Sequence, residues 1–209
     1  MENNTVAILL AGGKSERMGV AKGLLKYGKT FWVLEQINRI GKSGIQKVYI
    51  GLGYDAEHYF WAIDWFEQAT KQFVQFMGVA VKVILNPRPE NGSFSTLQTV
   101  LNSIDLKTNV ILNPIDVPIL NQKELPLITR GKNLVTMPSY LGKNGHPIKL
   151  DSLFWNSLLN LNLNSDLARL DLQIKNLPSH QITMIPVNDN SITKNLNTPT
   201  EWKQFLKDS

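Results

Sequence analysis

Apolar and polar positions fall into short blocks along the chain, and the period of each block names an element. Residues 5–10 are a continuous apolar run ended by Gly12 and Gly13, which predicts a strand buried on both faces. Residues 30–40 carry Val33, Ile37 and Ile40 at helical spacing and stop before Gly41, which predicts a helix. Residues 47–53 (KVYIGLG) predict a second strand. Residues 55–76 predict one amphipathic helix rich in aromatic side chains, and residues 79–85 (VAVKVIL) a third strand. Residues 93–104 predict a helix opened by a Ser cap, and residues 109–120 a fourth strand running into a loop.

The second half is less regular. Residues 133–140 and 145–150 predict strands around the turn LGKNG, residues 150–174 one or two helices, and residues 181–187 another strand. Residues 198–208 predict a helix started by Pro199. The recurring strand and helix predict an α/β domain, a mostly parallel sheet covered by helices on both faces. The aromatic segment has two readings. Phe60, Ile63 and Phe66 pack into the core with Trp61 and Trp65 at its edge, or the segment is a self-association face, since Trp and Phe are enriched in interface cores.

Composition narrows the function. The chain has 209 residues, 43% hydrophobic and 19% charged, enough apolar mass for one folded domain over 1–209 and against global disorder. Lys and Arg number 22 against 17 Asp and Glu, a net charge of +5. That mild excess suits a phosphate-bearing ligand, but the cations form no dense run, which argues against nucleic acid. There is no Cys, so disulfides, thiolate metal sites and thiol catalysis are excluded. The three His are dispersed, which argues against zinc. The opening MENNT lacks the basic start of a signal peptide, and no apolar run approaches the ~18 residues of a membrane helix. A soluble cytoplasmic protein is expected.

Residues 6–19 (VAILLAGGKSERMG) place a Gly-Lys-Ser step directly after a buried strand. A Walker loop needs a glycine at residue 8, which is Ile8, and a dinucleotide fingerprint starting at Gly12 needs a glycine at Lys14. Both fail by counting. The physics of a phosphate loop survives. Glycines let backbone N–H groups approach an anion. Arg17 and Lys22, with Lys14 as a further cation, can carry charge to successive phosphates.

The stretch LAGGKSERMGVAKGLLKYGK resembles the signature of the nucleotidyltransferases that act on the molybdenum cofactor, the guanylyl- and cytidylyltransferases. Every fixed position from Leu10 to Gly19, and Lys22, is met. NPRPENGSFSTLQTVL (86–101), LNPIDVPIL (112–120), GKNGHPIKL (142–150) and NLNTPTEW (195–202) resemble further segments of that family. The resemblance implies a Rossmann-like, nucleotide-diphospho-sugar transferase (GT-A-like) fold. It implies a transfer of a nucleotidyl group from GTP or CTP to a phosphorylated small-molecule acceptor such as molybdopterin, with release of pyrophosphate.

The resemblance also assigns residues. Leu10, Ala11, Gly12, Gly13, Lys14, Arg17 and Lys22 hold the nucleotide, while Asn86, Gly92 and Ser95 face its base and ribose. Asp116 holds Mg²⁺, with Asn195 and Asn197 contributing neutral amide oxygens. Arg17, Lys22 and Asp116 are the expected catalytic residues, and His146 contacts the acceptor. Each has a structural alternative: Asp116 a turn before Pro118, Asn195 and Asn197 caps and turns, Ser93 or Ser95 a helix cap, His146 a brace. Thr198 is the better N-cap for the last helix. The guanylyl-like loop and cytidylyl-like GHPIKL leave base and acceptor open. A sugar phosphate acceptor and a catalytically weak nucleotide-binding protein are the competing readings, the second motivated by Asn where the cytidylyltransferase branch often has Asp.

Overall fold

The computed structural model describes residues 5–208, so the MENNT reading falls, except for Thr5, outside the described residues. In chain order the elements are β1 (Thr5–Ala11), the small hairpin β2 (Lys26–Tyr27) and β3 (Thr30–Phe31), α1 (Trp32–Lys42), β4 (Lys47–Leu52), α2 (Ala56–Ala62) and α3 (Phe66–Lys71). There follow β5 (Val74–Phe76), β6 (Val79–Leu85), α4 (Gly92–Leu101), β7 (Asn109–Pro114), α5 (Leu125–Thr129), β8 (Val135–Tyr140) and β9 (Lys143–Asn144). Last come β10 (Ile148–Leu150), α6 (Ser152–Leu158), α7 (Leu170–Lys175), β11 (Ile182–Pro186) and α8 (Pro199–Asp208).

Among the described residues nine strands form one mixed sheet in the order β11-β8-β10-β7-β1-β4-β6-β5, with β9 added to β8. β1 pairs in parallel with both β4 and β7, β4 with β6, and β8 with β11, whereas β10 runs antiparallel between β7 and β8. The predicted α/β class and mostly parallel sheet are therefore present. The chain order reverses at β1: β4 and β6 lie on one side, β7 on the other. Such a switch point leaves a crevice outside the carboxyl ends of the strands.

Side-chain alternation along β1 explains the two layers of helices. Ala7, Leu9 and Ala11 face a core shared with Trp32, Val33 and Ile37 of α1, Phe66 of α3, and Trp202 and Phe205 of α8. Val6 and Ile8 face the opposite core, shared with Leu97 and Val100 of α4, Phe154 and Trp155 of α6, and Ile174 of α7.

Two expectations change. The single helix over 55–76 is two short helices. Ile63 turns extended after α2 (φ −136°), α3 ends at Lys71, and residues 74–76 become strand β5. β5 pairs with β6 through Met77 and Gly78, both at positive φ (49° and 80°), as a tight hairpin turn requires. The helix expected from residue 30 starts at Trp32, because Thr30 and Phe31 pair back onto β2. The strand running into a loop over 109–120 is present: β7 ends at Pro114 and loop follows. Ile63 and Phe66 are buried as the core reading expects, Phe60 is only half-buried, and at the edge Trp65 is half-buried and Trp61 74% exposed. No helix among the described residues is long and apolar enough to cross a membrane.

Candidate active site

The loop after β1 is shaped by close approach. A side chain on Gly12 would meet Thr96 and the Gly53 nitrogen, and one on Gly53 would meet the Gly12 carbonyl and Pro89. The Tyr54 N–H donates to the Gly12 carbonyl at 3.2 Å, tying the β1 and β4 ends together. Ser15 then takes a positive φ of 52°. Its carbonyl accepts from the Met18 and Gly19 N–H groups, and its Oγ from the Lys22 N–H at 3.2 Å. The chain thus turns back so that Lys22 points into the crevice. Behind it, the buried Tyr59 of α2 accepts the Gly23 N–H at 3.1 Å. One aromatic residue of the segment therefore positions the Lys22 turn. Burial also raises the Tyr59 phenol well above its ordinary pKa.

A second loop carries Asp116 past the end of β7. It is clamped from α1: Trp32 Nε1 donates to the Ile115 carbonyl at 2.8 Å and Gln36 Nε2 to the Val117 carbonyl at 2.8 Å. Gln36 Oε1 accepts from the Ile119 N–H at 2.9 Å, and buried Asn113 donates to the Val117 carbonyl at 2.7 Å. The third segment joins through the Leu196 N–H, which donates to the Asp116 carbonyl at 2.8 Å.

These three segments meet at the Lys22 ammonium. Nζ donates to Asp116 Oδ2 at 2.8 Å and to Asn197 Oδ1 at 2.6 Å. Asn197 is held by the start of α8. Glu201 accepts from the Asn197 and Thr198 N–H groups, both at 2.8 Å, and Thr198 Oγ1 accepts from the Glu201 N–H at 3.3 Å. This is a capping box, with Thr198 at the N-cap. Those hydrogen bonds lower the Glu201 pKa, the one from Asn197 most. Asn195 is exposed, and its carbonyl accepts the Asn197 N–H at 3.0 Å.

Among the described residues no group of three or more His, Cys, Asp or Glu could hold a metal. The donor set is instead one carboxylate oxygen and one amide oxygen converging on a single point. That set fits Mg²⁺, which takes one or two protein oxygens and completes its shell with waters and substrate phosphates.

A cavity of about 840 Å³ runs along the strand ends and is lined by Leu10, Ala11, Gly12, Gly13, Ser15, Lys22, Gly92, Asp116 and His146, among others. Lys14 and Arg17 stand outside this lining and are exposed. Lys14 lies 3.7 Å from Glu16 and over the Tyr54 ring. Asn86 and Ser95 are buried behind the lining. Asn86 Nδ2 donates to Ser95 Oγ at 2.8 Å and Thr96 Oγ1 at 3.0 Å, its Oδ1 accepts from the Arg88 N–H, and Ser95 Oγ donates to the Gly92 carbonyl at 2.7 Å. They brace the 86–92 loop, whose Gly92 takes a φ of 84° that favours glycine. α4 is preceded by Asn91 at the N-cap position, so neither Ser93 nor Ser95 opens it.

His146 closes the far end. Gly145 packs so closely on the Ile192 main chain that a side chain would collide with it. Burial lowers the imidazole pKa to about 4, with the nearby Asp116 charge opposing, so His146 is neutral at pH 7. Arg169 and Asp171, paired at 2.9 Å, stand at the rim. Sequence reasoning left out Ser15, which the signature contains, and Arg169, which no motif marks.

No curated protein matches the chain. Its fold is similar to that of the Rv0371c homologue from Mycobacterium sp. strain JC1 (TM-score 0.75, 18% identity, 100% of this chain and 98% of that one). It is also similar to a nucleotidyl transferase from Methanothermobacter thermautotrophicus, Mth528 (TM-score 0.74, 14% identity, 98% and 96%). A third similar structure is Rv0371C of Mycobacterium tuberculosis H37Rv in complex with manganese (TM-score 0.68, 16% identity, 98% and 99%). The MobA-like NTP transferase domain matches residues 7–177. With the glycine loop, Lys22 and Asp116 all inside that span, the chain belongs to the MobA-like NTP transferase domain family and is a nucleotidyltransferase.

Proposed function

We propose that the protein transfers a nucleotidyl group, with Mg²⁺, from GTP or CTP to a phosphate-bearing acceptor of the molybdopterin type, releasing pyrophosphate. The observation that carries this reading is the convergence of Lys22, Asp116 and Asn197 at the lip of the glycine loop. The manganese complex of the similar mycobacterial protein supports a divalent metal.

An oxygen of the acceptor phosphate attacks the α-phosphorus in line. The bond from that phosphorus to the bridging oxygen of the β-phosphate breaks, and pyrophosphate carries the electron pair away. The acceptor phosphate has a second pKa of about 6 and is already ionised near neutral pH, so no general base is required. Catalysis is positioning and charge neutralisation. Backbone N–H groups of residues 12–15 face the phosphates. Lys22 moves its positive charge onto the leaving pyrophosphate, and Arg17, exposed on the same loop, reaches the outer phosphates. Asp116 and Asn197 hold the metal, which when bound offsets the repulsion between two anionic substrates. Asn86 and Ser95 act on the nucleotide through the loop that they brace. His146, held neutral, adds no charge at the acceptor end.

Asp116→Ala and Lys22→Ala should each slow turnover at least tenfold, or about 1.4 kcal/mol of barrier. Pyrophosphate release measures this, and wild-type rates in either variant would overturn the assignment.

A further inference from the structure

A second cavity, of about 290 Å³, lies at the far end of the loop that carries Asp116. It is walled by β2, α1, the end of that loop, the 189–194 segment and the end of α8, and it shares no lining residue with the crevice.

Two cations line it with donors unused. Arg39 gives Nε to Glu35 at 2.7 Å and Nη2 to the Tyr27 hydroxyl at 2.8 Å, and its other N–H groups have no partner among the described residues. The Tyr27 hydroxyl, as acceptor there, is free to donate its own proton. Lys194 Nζ stands 3.6 Å from Asp208 Oδ2, beyond hydrogen-bond length, and over the Phe205 ring. Ser191 Oγ is buried and has no hydrogen-bond partner among the described residues, a state that native structures rarely leave unexplained.

The acceptors are mostly engaged. Asp189 takes the Asn121 N–H and Nδ2, both at 3.2 Å, and the Ser191 N–H at 2.9 Å. Asp208 Oδ1 takes Gln204 Nε2 at 2.8 Å. Free donors beside engaged acceptors select an oxyanion. The formal charges of the lining balance, Arg39 and Lys194 against Asp189 and Asp208, so a dianion meets more repulsion than a monoanion. The remaining wall is apolar. It is made by Ile119 and by the Tyr27 and Phe205 rings, whose centroids are 6.4 Å apart.

Both segments assigned to the metal reach this cavity. Ile119 and Asn121 follow Asp116 on one loop, and Lys194 stands three residues before Asn197. The Leu196 N–H, on the Asp116 carbonyl at 2.8 Å, ties the two segments together. A ligand bonded to Lys194, Ser191 and Arg39 would hold the 191–197 segment against α1, which already clamps the Asp116 loop through Gln36.

We propose that this cavity is a regulatory site for a small monocarboxylate with an apolar body, and that its occupancy fixes the segments carrying Asp116 and Asn197. The carboxylate sits among Arg39, Lys194 and the Ser191 hydroxyl, and the body lies against Ile119 and Phe205. The effect on the metal rests on the proposed role of Asp116 and Asn197, whereas the binding does not.

The test uses benzoate as probe, titrated into the full chain without nucleotide or metal and followed by ligand-observed NMR. Benzoate should bind about tenfold or more tightly than neutral benzamide. Phenyl phosphate, a dianion at pH 8, should displace it about fivefold less effectively than benzoate itself. Lys194→Met should weaken benzoate about fivefold or more, and Ser191→Ala should act in the same direction. Lys194→Met should leave the thermal shift produced by nucleoside triphosphate and Mg²⁺ unchanged. Saturating benzoate should tighten Mn²⁺ binding about threefold in the wild type and not in Lys194→Met. Benzamide binding as tightly as benzoate overturns the site, as does benzoate binding that neither variant alters. Benzoate binding with unchanged Mn²⁺ affinity overturns the regulation. A chain that binds no Mn²⁺ with or without benzoate strikes instead at the metal role of Asp116 and Asn197.

Discussion

The Lys22 ammonium is bonded to the same two oxygens, Asp116 Oδ2 and Asn197 Oδ1, that are assigned to the metal. A fixed positive charge a few ångströms from a cation site lowers its affinity for a second cation. In the absence of nucleotide, Lys22→Met should therefore bind Mn²⁺ about threefold or more tightly than wild type, measured by titration against the free-ion electron paramagnetic resonance signal. Unchanged affinity would show that Lys22 and the metal do not share these oxygens. His146 gives a second residue-level prediction. Its pKa is lowered to about 4 by burial, from 6.5. Between those values the unfolded chain binds a proton at this imidazole and the folded chain does not, so stability rises with pH across the window. The contribution is complete above about pH 6.5 and is lost on the way down to about pH 4, amounting to at most about 3 kcal/mol. Urea unfolding at pH 7 and pH 4.5 should show a smaller loss in His146→Asn than in wild type; equal losses would refute it. Gly12 and Lys22 stand in one contiguous motif and Asp116 in the separate segment 112–120, so their place on one crevice was legible from motifs. The internal saturation of Asn86 and Ser95 was not, because their partners are fixed only when the 86–92 loop folds over α4.

At the scale of elements, short-range chemistry was the legible part. Thr198 and Pro199 mark the start of α8 in sequence and in structure, and the structure adds Glu201 as the other half of a capping box. The aromatic segment misled because Trp and Phe at helical spacing do not reveal the extended backbone at Ile63. Residues 74–76 (Val-Gln-Phe) also alternate well enough for the strand that pairs with β6. Least legible was the clamp from α1 on the Asp116 loop, which spans some 80 positions of chain. Gln36 is fully buried and satisfies both the Val117 carbonyl and the Ile119 N–H. Gln36→Leu leaves both groups without that partner, and should cost about 2 kcal/mol in urea unfolding. Since the same loop carries Asp116, pyrophosphate release should slow as well. A variant as stable and as fast as wild type would remove Gln36 from the positioning of the loop.

For the whole molecule, the parallel pairing within β7-β1-β4-β6 is what the strand–helix repeat predicts, but the order that puts a crevice at the reversal beside β1 is seen only in the fold. The antiparallel β10 between β7 and β8 does not follow, because strand order is set by long-range pairing rather than by local period. Yet the entry to β10 brings His146 to the Asp116 side of the crevice, and Ile148 of β10 joins its lining. A ligand held across three chain segments must stabilise the whole fold. Nucleoside triphosphate with Mg²⁺ at a hundredfold excess over its dissociation constant adds about 2.7 kcal/mol. For a chain of this length that raises the melting temperature by roughly 5–10 °C. Comparing the four nucleoside triphosphates by thermal shift identifies the base, with GTP or CTP expected to give the larger shift. In Asp116→Ala the Mg²⁺-dependent part of the shift should vanish while a smaller, metal-independent part from the glycine loop remains. A shift of the same size with and without Mg²⁺, in wild type and variant alike, would place the metal elsewhere than at Asp116.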